Sequence, residues 1–127
     1  MKEKPWVLIL DDSEIVLETT AMALTEAGFE VVKAQSLVEF DRLLTKGRPD
    51  IILTDIKMPE ITGDDVCGVL KQKHDTKNIP IILFSTMEDE ELAQLAEKSG
   101  ADGYVCKGEG MEEIVKHVRA LAEKLVS

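Results

Sequence analysis

The sequence predicts an α/β fold in which five strands and five helices alternate as (βα)5 and the strands form a doubly wound parallel sheet. Two observations lead there. Five short runs rich in β-branched and other apolar residues recur along the chain, each followed by a stretch whose apolar residues return every three or four positions. The runs are apolar throughout instead of alternating, the pattern of strands covered on both faces, and right-handed crossovers between parallel strands place helices on those faces.

The first strand is expected at Trp6 to Leu10, followed by a helix on the phase Val16, Thr20, Ala23 and Ala27. Asp12 and Ser13 stand just ahead of that helix, where short oxygen-bearing side chains cap exposed amides. The second strand is expected at Phe29 to Val32, with Leu37, Phe40 and Leu44 marking its helix. The third runs from Ile51 to Leu53, and Val66, Val69 and Leu70 mark the helix after it. Pro49 and Pro80 return the chain to extended structure before the third strand and the fourth, Ile81 to Phe84. The next helix opens on "MEDEE", whose acids from Glu88 to Glu91 sit at the positive end of the helix dipole, and it continues on Leu92, Leu95, Ala96 and Ser99. The last pair is a strand at Tyr104 to Cys106 and a helix on Ile114, Val118, Leu121 and Leu125. Gly28, Gly47 and Gly100 fall just past helical stretches, where a left-handed residue commonly closes a helix.

A chain of 127 residues suits one domain, expected over 1–127, and its 44% hydrophobic content suits a globular one. The formal net charge of −10 would repel phosphate backbones and anionic headgroups, so neither direct nucleic-acid nor membrane binding is expected. Cys67 and Cys106 are far apart and lack metal or disulfide spacing, which fits reduced core thiols in a cytoplasmic protein. The apolar stretch after the N-terminal lysines runs directly into Asp11 and Asp12 and is too short for a signal segment.

In open sheets of this kind ligands bind at the carboxyl ends of the strands, where strand order reverses. Here those ends carry Asp11 and Asp12, then Asp55, then Ser85 and Thr86, and finally Lys107. Carboxylates gathered in one crevice need either raised pKa values or a divalent cation, and oxygen ligands with room for water suit Mg2+. Taken singly, Asp12 or Ser13 is a helix cap, Ser85 a hydroxyl satisfying backbone, Asp55 a turn former and Lys107 a surface amine. Their occurrence at successive strand ends favours a site.

The chain resembles the receiver domain of the response-regulator family, most nearly its stand-alone chemotaxis-type members. The resemblance spans essentially the whole chain and is carried by "ILDDSE", "ILTDIKMPEITG", "PIILFST" and "GADGYVCK" in that order. It implies a flavodoxin-like sheet of order 2-1-3-4-5 and a phosphorylation-dependent switch of a two-component phosphorelay. Asp55 would be the phosphoacceptor, supplied by a histidine kinase or phosphotransfer protein. Asp12, Asp55 and the backbone carbonyl of Lys57 would bind Mg2+ directly and Asp11 through water. Ser85 and Lys107 would contact the phosphoryl group. Ser85 and Tyr104 would carry the switch to the face formed by the fourth helix, fifth strand and fifth helix. The protein would catalyse only its own phosphorylation and dephosphorylation, act as a monomer or weak homodimer, and signal to an unidentified downstream protein.

The family usually has proline after the lysine, where this chain has Gly108, so a trans bond and a looser "KGEG" loop are expected. Lys57 and Met87 occupy positions that tune acyl-phosphate hydrolysis in the family, and neither can orient an attacking water, which predicts slow self-dephosphorylation. His74 lies in a polar turn and His117 beside an apolar stripe, so surface or helix-boundary roles are expected. An aspartyl-nucleophile phosphatase would carry a second Asp two residues after the nucleophile on the first strand, and a flavin module would carry a Ser/Thr/Gly phosphate cradle there. "LDDSE" offers neither. A degenerate receiver serving as a constitutive docking module is the first alternative, ahead of the aspartyl-nucleophile phosphatase.

Overall fold

A sheet of order β2-β1-β3-β4-β5, with every pairing parallel, forms the frame of the structure, a computed structural model that describes residues 4–59 and 61–125 apart from the side chain of Leu125. Along the chain the elements are β1 (Trp6–Leu10), α1 (Glu14–Glu26), β2 (Glu30–Ala34), α2 (Leu37–Lys46), β3 (Ile51–Asp55), α3 (Gly63–Gln72), β4 (Ile81–Ser85), α4 (Asp89–Ser99), β5 (Gly103–Cys106) and α5 (Met111–Leu125). A single 3-10 turn, Lys107–Glu109, links β5 to α5.

The sheet divides the core in two because successive strand residues face opposite sides. Val7, Ile9, Leu53 and Phe84 pack with Leu17, Leu24, Ile114 and Val118 under α1 and α5. Leu8, Leu10, Ile52 and Leu83 pack with Phe40, Val66, Leu70 and Leu92 under α2, α3 and α4. β3 and β4 are buried at every residue, as expected of central strands in a covered parallel sheet. Asp102 ties three elements together, accepting from the Ile81 amide at 2.8 Å and from Lys71 Nζ at 2.8 Å.

Several element details differ from the sequence reading. β2 starts one residue later and runs to Ala34, while Phe29 still buries its ring in the α1/α5 core. β3 and β4 extend through Asp55 and Ser85, so both polar side chains leave from ladder positions. The buried stripe of α1 is Leu17, Thr20, Ala21 and Leu24 instead of Val16, Thr20, Ala23 and Ala27. That helix is apolar on most sides, which leaves its phase to be set by the sheet beneath it. On α3, Val69 is exposed instead of buried, while Cys67 lies in the core as expected, its thiol 3.5 Å from the Ser99 carbonyl oxygen. Burial holds the Cys67 thiol above its ordinary range. Cys106, expected in the core, is only half-buried because β5 is the edge strand. The Leu125 side chain lies outside the described residues.

Helix termini follow the sequence in most places. Ser13 is the cap of α1, its Oγ accepting from the Val16 amide at 3.3 Å. Gly28 and Gly100 hold φ of 101° and 83°, where a side chain would be strained. Gly47 is instead extended, at φ −179° and ψ 168°, so the chain leaves α2 straight toward Pro49 without a left-handed residue. "KGEG" is a defined turn and not a loose loop: Gly110 donates to the Lys107 carbonyl at 3.4 Å, and no cis peptide bond occurs among the described residues.

Candidate functional site

Four of the expected site residues meet at the carboxyl edge of the sheet. β1 and β3 are neighbours there, and the chain leaves β1 toward the α1/α5 face but leaves β3 toward the opposite one. This is the switch point of a doubly wound sheet, where two diverging crossovers leave a crevice.

Asp11 follows directly on β1, and its amide continues the ladder by donating to the Ala34 carbonyl at 3.2 Å. Its side chain is only 1% exposed. Oδ1 accepts from the Ser13 amide at 2.9 Å, and Oδ2 meets Lys107 Nζ at 3.0 Å. Asp55 is the last residue of β3 and is 6% exposed; its Oδ1 meets the same ammonium at 3.1 Å. Asp12 is exposed, yet one carboxylate oxygen from each of Asp11, Asp12 and Asp55 lies within 4.8 Å of the others.

Lys107 reaches these acids from beyond β5, crossing β4 on the way. Its ammonium lies 5.1 Å from the centroid of the Phe84 ring, and Phe84 is the register partner of Asp55. The ring supplies a cation–π surface that steers the stem toward β3, and the lysine side chain is 16% exposed. The Lys107 side chain thus completes the crevice with a trans backbone and a glycine at 108.

The charges do not balance: among the described residues, the one ammonium paired with Asp11 and Asp55 stands at a cluster of three carboxylates, Asp12 being the third. Burial pushes the Asp55 carboxyl above its ordinary range, and the Asp11 carboxylate adds to the shift. Attraction to Lys107, its hydrogen bond and the Ile56 amide offset it only partly. A hard divalent cation would relieve that imbalance. The donor set is oxygen only, which fits Mg2+ and does not favour a soft thiophilic metal.

Ser85 ends β4 at 1% exposure, its Oγ accepting from the Met87 amide at 3.2 Å. Tyr104 pairs in register with Leu83 and packs half-buried against the core on the α2, α3 and α4 face, as does Met87. Lys57 is exposed beyond the end of β3. His74 is exposed in the turn after α3, and His117 sits 3.8 Å from Glu113 on α5. The structure therefore gathers Asp11, Asp12, Asp55 and Lys107, with Ser85 at the next strand end.

Sequence reasoning missed three supports of this site. Phe84 reads as one more apolar strand residue, and only the register reveals it beneath the ammonium. Thr54 is fully buried and donates its hydroxyl to the Asp55 carbonyl at 3.0 Å. Gly63, at the start of α3, lies against the Asp55 backbone. Its place after Met-Pro was a visible signal, but the contact was not.

Known proteins resemble this chain over most of its length. The family model described as response regulator receiver domain matches residues 7–119. The DNA-binding dual master transcriptional regulator RpaA of Synechocystis is 30% identical over 94% of this chain and 50% of its own length. The phosphate regulon transcriptional regulatory protein PhoB of Pseudomonas aeruginosa is 30% identical over 93% of this chain and 52% of its own. The chain thus spans about half the length of the curated relatives it matches. Among solved structures, the chemotaxis response regulator CheY4 of Vibrio cholerae superposes with a TM-score of 0.84 at 28% identity, covering 93% of this chain and 98% of that one. A response regulator from Chloroflexus aurantiacus gives 0.86 at 30% identity, covering 93% and 97%.

Proposed function

The chain belongs to the response regulator receiver domain family, and from that premise we propose that it is a signalling switch thrown by phosphorylation of Asp55. The observation carrying this reading is the crevice itself: a buried carboxylate at a strand end, held at 3.1 Å by an ammonium that a second buried acid shares at 3.0 Å.

An ionised carboxylate is a usable nucleophile at neutral pH. One Oδ of Asp55 attacks the phosphorus of a phosphohistidine on a partner kinase or phosphotransfer protein. A P–O bond forms, the P–N bond breaks, and the imidazole leaves with the electron pair and takes up a proton. Lys107 supplies positive charge where the transferring group accumulates negative charge. Asp12, Asp55, the Lys57 carbonyl and, through water, Asp11 would hold Mg2+, which when bound neutralises charge on the phosphoryl oxygens. Ser85 then donates its hydroxyl to a phosphoryl oxygen, and Tyr104 repacks with it, altering the face made by α4, β5 and α5. The only chemistry is on the protein itself; output is a change in what that face binds. The net charge of −10 sets direct nucleic-acid binding by this domain aside.

The test is incubation with a small phosphodonor and Mg2+. An acid-stable, base-labile mass gain that disappears in Asp55→Asn supports the reading. A folded wild-type protein that gains no mass would leave a constitutive docking module as the better account.

A further inference from the structure

We propose that Gly63 is a positioning residue for Asp55: having no side chain, it lets the first turn of α3 close onto the Asp55–Ile56 peptide and so fixes the direction in which the phosphoacceptor carboxylate leaves β3. This rests on the reading of Asp55 as phosphoacceptor.

The steric fact is severe. A Cβ on Gly63 would lie 2.0 Å from the Asp55 carbonyl oxygen, 2.8 Å from its carbonyl carbon and 3.0 Å from the Ile56 Cα. All three are backbone atoms, so no rotamer change can make room. Conformation is not the reason for glycine here, because Gly63 is not among the glycines with positive φ.

What that peptide holds explains the consequence. Its oxygen accepts from Thr54 Oγ1 at 3.0 Å. Its N–H, on Ile56, is the backbone group beside the Asp55 carboxylate that favours the ionised form. The Gly63 amide donates to the Ile56 carbonyl at 2.9 Å, fastening the next peptide as well. One peptide plane, the one that carries the Asp55 side chain at its Cα, is thus clamped between a buried hydroxyl and a bare Cα. Both sides of the clamp are anchored, β3 by ladders to β1 and β4, and α3 by buried Val66, Cys67 and Leu70. A methyl group forced between them must turn the Asp55–Ile56 peptide. The carboxylate turns with it, and so does the link to Lys57, whose carbonyl is assigned to the cation.

Gly68 provides a control within the same helix, since a Cβ there meets nothing within 4 Å. The experiment compares Gly63→Ala, Thr54→Val and Gly68→Ala with wild type. In metal-free, 15N-labelled protein the Ile56 and Lys57 amide resonances are followed, then Mg2+ affinity by titration, then the rate of phosphorylation by a small phosphodonor. Gly63→Ala is expected to shift both amides, weaken Mg2+ and slow phosphorylation about tenfold or more, since a misplacement near 1 Å can cost ~100-fold. Thr54→Val is expected to move the same amides with a smaller loss of rate. Gly68→Ala should match wild type in all three.

If wild type itself takes up no phosphoryl group, the functional reading fails, and the amide shifts still decide the clamp. Should Gly63→Ala fold with wild-type amides and rate, the inference is overturned. If Gly63→Ala does not fold, Thr54→Val decides: unchanged Ile56 and Lys57 amides with an unchanged rate would overturn it equally.

Discussion

Replacing Lys107 by methionine keeps a stem of similar length over Phe84 and removes the only cation within hydrogen-bonding distance of Asp11 and Asp55 among the described residues. Contacts of 3.0 and 3.1 Å correspond to a gross attraction of about 5 kcal/mol each at an effective dielectric near 20. Most of that is offset by desolvation, and removing one partner of a buried pair typically costs about 3–5 kcal/mol because the other charge is left uncompensated. The lysine is 16% exposed and an orphaned acid can take up a proton, so about 2–3 kcal/mol is expected at neutral pH. This is a large share of the ~5–15 kcal/mol that keeps most domains folded. The sign with pH follows from Asp55. Its folded pKa already lies above the ordinary 3.8, and loss of the ammonium raises it further. The penalty is therefore smallest below the ordinary carboxylate range and grows as pH rises through the raised value. Urea denaturation of metal-free Lys107→Met and wild type across that range reads this directly, and added Mg2+ should narrow the gap by replacing the missing charge. A deficit under about 0.5 kcal/mol at neutral pH, or one that does not change with pH, would refute the reasoning, since both are incompatible with two buried acids losing their shared cation.

Asp55→Asn acts in the opposite direction. Burial and Asp11 raise the Asp55 pKa, so the folded protein holds that proton more tightly than the unfolded chain and stability falls as pH rises through the window; the metal-free amide variant should be more stable than wild type at neutral pH, the difference vanishing in acid, by the same urea titrations. Lys57→Asn with Met87→Glu introduces groups able to orient water, and the phosphoryl lifetime, followed by loss of the mass gain, should shorten; a lifetime no shorter than wild type counts against slow self-dephosphorylation being set at these positions. Gly100→Ala and Gly108→Ala should differ in sign in thermal melts. The first forces alanine to φ 83°, costing about 1 kcal/mol, while the second adds a Cβ in open space at negative φ and should stabilise by about 0.5 kcal/mol.

The strands were legible because a central parallel strand must be apolar on both faces, and β3 and β4 obey this at every position. The site was legible for a related reason: polar residues ending such runs have nowhere to go but the carboxyl edge, which is where Asp11, Asp55, Ser85 and Lys107 lie. The phase of α1 was not legible. When most of a helix is apolar, periodicity loses contrast and the sheet decides which residues it covers. Val69, expected inside, is exposed for a similar reason, since α3 turns Cys67 inward toward α4, the core place expected of that thiol. Gly47 shows that a helix-ending glycine need not be left-handed when the next segment simply continues extended. Phe84 and Gly63 were invisible as supports because their importance lies in what a neighbouring strand or helix brings within a few ångströms.

The absence of proline after Lys107 tests how the lysine is delivered. The structure replaces that device with a short 3-10 turn closed by Gly110, whose φ of 93° a side chain would resist, and with the Phe84 ring under the stem. Two consequences bear on the proposed switch. The ammonium is already divided between Asp11 and Asp55, so a phosphoryl group on Asp55 can recruit it without new charge entering the crevice. The Ser85 hydroxyl is an acceptor to the Met87 amide, which leaves its own hydrogen available to an incoming phosphoryl oxygen. On the proposed switch, Lys107 is therefore already at the Asp55 carboxylate and Ser85 stands at the next strand end, and what phosphorylation would supply is the acceptor that draws Ser85, and the Met87 segment bonded to it, toward the edge of the sheet.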